Sequence, residues 1–64
     1  MNKAHALVYG VVYAHPESTS RQVRVWLGFP RLASAIANVQ AVLSDLVETG
    51  DLVRNADNTY TATH

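Results

Sequence analysis

Residues 39–54, V-Q-A-V-L-S-D-L-V-E-T-G-D-L-V-R, decide how the rest of this chain is read. Apolar residues recur at Val39, Val42, Leu43, Leu46 and Val47, the three- and four-residue spacing that gathers side chains on one face of a helix. The run stops at Gly50, and Leu52 and Val53 then have the composition of a short strand. Glycine enters the left-handed conformation without a Cβ clash, so it can close a helix and turn the chain back along its own last turn. A helix, a glycine stop and a β-type segment thus follow one another with no linker between them.

Working backward, the same apolar sector takes in Leu32, Ala35 and Ile36. The spacing predicts a third and longest helix over residues 31–49, with Pro30 at its first turn. The opposite stripe is Ser34, Ala37, Asn38, Ala41, Asp45 and Glu48. A first helix is expected over residues 2–14, where Ala4, Leu7, Val8, Val11 and Val12 form one stripe. Pro16 disfavours helical geometry at His15 and marks its end. Valine and glycine are poor helix formers, so packing must hold this segment, and L-V-Y-G-V-V-Y would also suit a strand.

Between these two helices, Glu17-Ser18-Thr19-Ser20 reads as a loop ending in good helix caps. A short second helix is expected over residues 20–27, with Val23, Trp26 and Leu27 facing inward. Gly28 stops it, and Phe29-Pro30 makes the turn; Trp26 and Phe29 flank that turn and are read as core. Beyond Gly50, residues 51–54 and 59–62 read as two strands joined by Asn55-Ala56-Asp57-Asn58. Asparagine and aspartate tolerate the positive φ of tight turns, so a hairpin is expected.

Composition bounds what such a chain can be. Its 64 residues make one small domain, 48% of them apolar. No cysteine is present, which excludes a disulfide scaffold and a thiolate metal site. The longest apolar run, Ala6 to Ala14, is broken by Gly10 and is far too short for a membrane span. A soluble, cytoplasmic protein with no membrane partner is expected. A core of this size supplies only about 3–5 kcal/mol, so a homodimer that buries more surface is expected as well. Net charge is zero but unevenly distributed. Residues 1–32 carry Lys3, Arg21, Arg24 and Arg31 against Glu17, a balance of +3. Residues 33–64 carry Arg54 against Asp45, Glu48, Asp51 and Asp57, a balance of −3. One basic face can therefore coexist with overall neutrality.

Leu43, Leu46, Gly50, Leu52, Val53 and Arg54 give the pattern L-x2-L-x3-G-x-L-V-R. This resembles the junction between recognition helix and wing in winged helix-turn-helix proteins. The string S-T-S-R-Q-V-R-V-W-L-G at 18–28 resembles the first helix of a helix-turn-helix. The resemblance covers nearly the whole chain and implies a mainly α fold, three helices plus a C-terminal two-stranded wing. It also implies a DNA-binding regulator or accessory factor, like the compact regulators of phages and other mobile elements.

On that resemblance the N-terminal half of the third helix enters the major groove of double-stranded DNA, and Arg31, Ser34 and Asn38 read bases. Asparagine can make two hydrogen bonds to adenine and arginine two to guanine. Ala37 and Ala41 let the helix approach closely. Arg21 and Arg24, with Lys3, meet phosphates, and Asn55 and Asn58 at the wing tip do so without charge. The same stripe also suits an ordinary solvated helix face, and Asp45 and Glu48 would be repelled by phosphate. A winged-helix module that binds a partner protein without DNA is thus the alternative.

Tyr9 and Tyr13 lie one turn apart over Ala6 and Gly10, roughly opposite the apolar stripe. They suit a two-fold interface, since tyrosine buries much area and keeps a polar tip, or else a cover over the hairpin edge. No enzyme is expected. His5, His15 and His64 have no metal-ligand spacing, and no nucleophile elbow or phosphate-binding glycine loop occurs. Neither a cofactor nor a metal is implied.

Overall fold

Valine-rich though it is, the first segment is a helix, α1, over Lys3–Ala14. The computed structural model describes residues 3–28 and 33–63, with side chains from Asn38 onward in the last helix. Val8 and Val12, one turn apart on α1, are buried, and Val11 is half-buried beside them. The buried face is narrower than the expected stripe. Ala4 is exposed and Leu7 is 51% exposed, while His5 and Tyr9 on the other flank are half-buried. The helix turns this way because it leans on the last helix: His5 Nε2 lies 3.1 Å from Asp45 Oδ2 there.

The loop after α1 is more ordered than its composition implied. His15 N–H still donates to the Val11 carbonyl at 2.9 Å, and the Ser18 hydroxyl donates to the His15 carbonyl. Glu17, at φ 62°, turns the backbone. Ser18 then runs antiparallel to Tyr60, its N–H donating to the Tyr60 carbonyl at 3.3 Å and its carbonyl accepting from Tyr60 N–H at 2.8 Å. A segment expected to be plain loop thus adds one strand-like pair to the hairpin.

The second helix, α2, is Ser20–Trp26, and Thr19 caps it. Thr19 Oγ1 accepts from Gln22 N–H at 3.1 Å, and Gln22 Oε1 accepts from Thr19 N–H at 3.0 Å. Two N–H groups that a helix start leaves unsatisfied are thereby paired. Seven residues can bury only one side; Val23 and Arg24 are buried there, and Leu27, at the C-terminal cap, is half-buried against the core. Trp26, expected in the core, is 44% exposed and stacks on His15, ring centroids 4.0 Å apart. Gly28 ends the segment at φ 75°. The Phe29-Pro30 turn lies outside the described residues.

The third helix, α3, spans Ala33–Thr49. Val39, Leu43 and Leu46 are fully buried, with Val42 and Val47 packed against them. Arg31 and Leu32, where the helix was expected to begin, lie outside the described residues, as do the side chains of Ala35 and Ile36. At its end Gly50 N–H donates to the Val47 carbonyl at 3.1 Å and Asp51 N–H to the Leu46 carbonyl at 2.9 Å. With Gly50 at φ 88°, this is the paired closure in which a left-handed residue satisfies the last carbonyls.

Strands β1 (Leu52–Arg54) and β2 (Tyr60–Ala62) pair antiparallel, Leu52 with Ala62, Val53 with Thr61 and Arg54 with Tyr60. Alternation sends Leu52 into the core and leaves Val53 48% exposed. The hairpin turn closes with Asn58 N–H on the Asn55 carbonyl at 3.1 Å, Asn58 itself lying at φ 65°. Thr63 then ties the chain end to the helix exit, its N–H on the Asp51 carbonyl at 3.1 Å. One core results, made of Val8, Val12, Val23, Val39, Leu43, Leu46, Leu52 and Tyr60. Among the described residues, no helix is long and apolar enough to cross a membrane.

Leu46 lies at the centre of that core and at the start of the helix closure. Truncating it to alanine is expected to cost about 2–5 kcal/mol, a large part of the stability of so small a domain. Thermal melting checks this; a Leu46→Ala protein that melts within a degree or two of the parent contradicts the packing described.

Candidate functional site

The outward stripe of α3 is open to solvent from Asn38 onward. Asn38, Ala41, Asp45 and Glu48 are all exposed along it. Ser34 and Ala37 share the stripe by helical spacing, but their side chains are outside the described set. The opposite face of α3 is held by α1, α2 and β1. Gln40 adds a polar tie to α2, its Nε2 donating to Ser20 Oγ at 3.2 Å. Beside the C-terminal half of α3, a shallow groove of about 170 Å³ separates it from the hairpin. Ser44, Val47, Glu48, Arg54 and Tyr60 line it, so Glu48 and Arg54 share one cleft.

Among the described residues, the cations expected to meet phosphate differ in exposure. Lys3 and Arg21 are exposed on α1 and α2. Arg24, also read as a surface cation, is only 4% exposed. Three positions before Leu27 on a short helix, it falls on the flank of the buried face rather than outside it. That spacing was the available sign of its burial, and composition alone gave none. Arg31 lies outside the described residues.

Hydrogen bonds occupy the asparagines of the hairpin. Asn55 is half-buried, its Nδ2 donating to Thr59 Oγ1 at 3.0 Å and to Thr61 Oγ1 at 2.9 Å. It braces the turn from within. Asn58 is exposed and accepts from Arg54 Nη2 at 2.7 Å. Arg54 and Asn58 therefore form the polar tip, and Arg54 is the member that composition alone did not single out for the site.

Of the two tyrosines, Tyr13 is 61% exposed and Tyr9 packs partly against the core. Their rings are tilted, with centroids 6.2 Å apart. Further exposed apolar side chains, not foreseen, are Leu7 on α1 and Val25 and Trp26 on α2, Val25 being 57% exposed. Among the described residues, no three histidine, aspartate or glutamate side chains converge as a metal site would require. No protein-family model, curated protein or solved structure matches the chain.

One titrating group reports on the hairpin tip. Asp57 is held below its ordinary value of 3.8, first by the Thr59 hydroxyl and then by the Thr59 backbone N–H, both donating to Oδ1. Its folded-state value is depressed, so its contribution to hairpin stability is present above about pH 3.8 and is lost as pH falls through the lower folded value. Following the Asp57 carboxyl by NMR should therefore place its midpoint below 3.8 in the parent and nearer 3.8 in Thr59→Val. Equal midpoints in the two proteins would remove Thr59 as the cause.

Proposed function

We propose that this protein is a winged helix-turn-helix domain that binds double-stranded DNA in a sequence-dependent way, as a regulator or accessory factor. One observation carries the reading: α3 is supported on one side by α1, α2 and β1 and exposed from Asn38 to Glu48 on the other, with the hairpin alongside. A helix presented in this manner fits a major groove, and a hairpin beside it reaches the flanking backbone. Asn38 is the reader, with Arg31 and Ser34 assigned beside it from their spacing, and Ala41 permits close approach. Arg21 meets the backbone from α2, and the Arg54–Asn58 pair meets it from the hairpin.

Asp45 and Glu48 orient the complex. They repel phosphate, so the N-terminal half of α3 enters the groove and the C-terminal half stays outside it. Few cations serve each protomer, and affinity for DNA comes largely from phosphate neutralisation. A homodimer through α1, with Tyr13 at its centre and Tyr9 beneath, doubles the basic surface. The exposed Leu7, Val25 and Trp26 favour a second reading, a winged-helix module that docks on a partner protein through α1 and α2.

Electrophoretic retardation on mixed genomic fragments, at low and moderate salt, tests the reading. Asn38→Ala should lose about 1–3 kcal/mol on the preferred site and much less on random DNA. Arg21→Ala should weaken all sequences alike and lower the salt slope by about one unit. A parent protein that binds no DNA at low salt removes the DNA reading and leaves the docking module.

Assembly is checked separately by sedimentation. A dimer is expected at micromolar concentration, weakened by Tyr13→Ala; a monomer throughout, or an unchanged dimer in the variant, gives the tyrosines another role.

A further inference from the structure

Arg54 has two acceptors of different kinds near it. It lines the cleft together with Glu48 of α3, yet its Nη2 donates to Asn58 Oδ1 at the hairpin tip, at 2.7 Å. Among the described residues, Arg54 and Glu48 form no ion pair, although their charges are opposite and they share one open groove.

Strand register makes that choice informative. Arg54 stands directly opposite Tyr60 in the ladder, and residues so paired send their side chains to the same face. Tyr60 is buried in the core, so this is the face turned toward the helices. The arginine stem therefore leaves β1 on the side where Glu48 lies. With no other acceptor, attraction between opposite charges would draw the guanidinium toward that carboxylate.

Asn58 supplies the other acceptor, and the backbone fixes where it stands. Its N–H closes the turn on the Asn55 carbonyl at 3.1 Å, with φ at 65°. Asp57, the neighbouring carboxylate, is engaged by the hydroxyl and N–H of Thr59. An exposed ion pair gains little over water and must order two long side chains. Asn58 is short and sits on a closed turn, so one charge-assisted hydrogen bond to it can outweigh the pair with Glu48.

We propose that Asn58 is a positioning residue, which draws Arg54 out of the cleft and presents it at the hairpin tip to a DNA backbone phosphate. One bond to Asn58 leaves most of the guanidinium donors for that phosphate. Glu48 is the competing partner, and pairing with it withdraws the cation from the tip. The phosphate contact rests on the DNA reading; the choice between Asn58 and Glu48 does not.

The experiment first follows the Arg54 Nε–H signal by NMR in the full chain without DNA. Asn58→Gly removes the acceptor and adopts a positive φ freely, and Asn58→Asp keeps both acceptor and turn. Glu48→Gln should leave the Arg54 signal in place in the parent and in Asn58→Asp, and should move it in Asn58→Gly. A signal indifferent to Glu48→Gln in the Asn58→Gly background overturns the proposal. So does a signal that moves as far in the parent, since Glu48 then already holds the arginine.

Binding to a short duplex is then measured over a range of salt. Asn58→Gly should lower the salt slope by about one unit, and adding Glu48→Gln should restore it beyond any gain the same change gives the parent. Arg54→Gln should lower the slope equally, and Asn58→Gly should lower it no further in that background. A parent that binds duplex with a slope unchanged by Asn58→Gly overturns the presentation to phosphate. A parent that binds no duplex removes the DNA reading, while the expected NMR pattern still keeps Asn58 as the residue that positions Arg54.

Discussion

Every other element of this protein is organised by one face of α3. Val39, Leu43 and Leu46 are fully buried on it, and α1, α2 and β1 all pack there. The consequence is geometric. A helix gripped from three directions cannot roll, so the stripe opposite, from Asn38 to Glu48, is held at a fixed orientation to solvent. Leu46 does double service, because its carbonyl also receives the N–H that closes the helix. Packing and chain reversal therefore stand on the same residue.

The second constraint is backbone closure around Tyr60. Its strand pairs with β1 on one side, and Ser18 pairs with it on the other. Strands of three residues are marginal alone. Here the hairpin is anchored by the Tyr60 side chain in the core, by Ser18 and by Thr63 reaching back to Gly50 and Asp51. These ties place the hairpin beside the C-terminal half of α3 and make the cleft that Glu48 and Arg54 share. The placement of the hairpin against α3 thus arises from a few hydrogen bonds across one tyrosine.

Charge is unevenly distributed over the fold. The acidic residues of α3 stand toward its C-terminal half, while Arg21 stands on α2 and Arg54 at the hairpin. Coulomb forces among exposed groups are modest and screened by salt, so they orient a partner more than they hold it. Arg24 is of another kind. Away from water an unpaired charge keeps most of its cost, and Arg24 is buried with Nε and Nη1 unpartnered among the described residues. The exposed apolar side chains of Leu7, Val25 and Trp26 lie on different elements from the α3 stripe.

The sequence by itself determined the order of the elements after α1, the phase of α3 from Asn38 onward and both ends of the helix–hairpin junction. Each is a local matter: a 3.6-residue apolar repeat, a glycine free of the Cβ clash, an asparagine that tolerates positive φ. Thr19 capping α2 and the Asn55–Asn58 turn were legible for the same reason, and so was the exposure of Asn38. The rotation of α1 and α2 was decided by the tertiary structure. Leu7 and Trp26 satisfy a helical stripe as well as Val8 and Val23 do, and only the position of α3 chooses which of them is covered. The Ser18–Tyr60 pair joins residues more than forty positions apart, a distance at which periodicity carries no information. Arg24 shows the same limit most plainly, since the burial of a residue on the flank of a short helix depends on what lies against that flank.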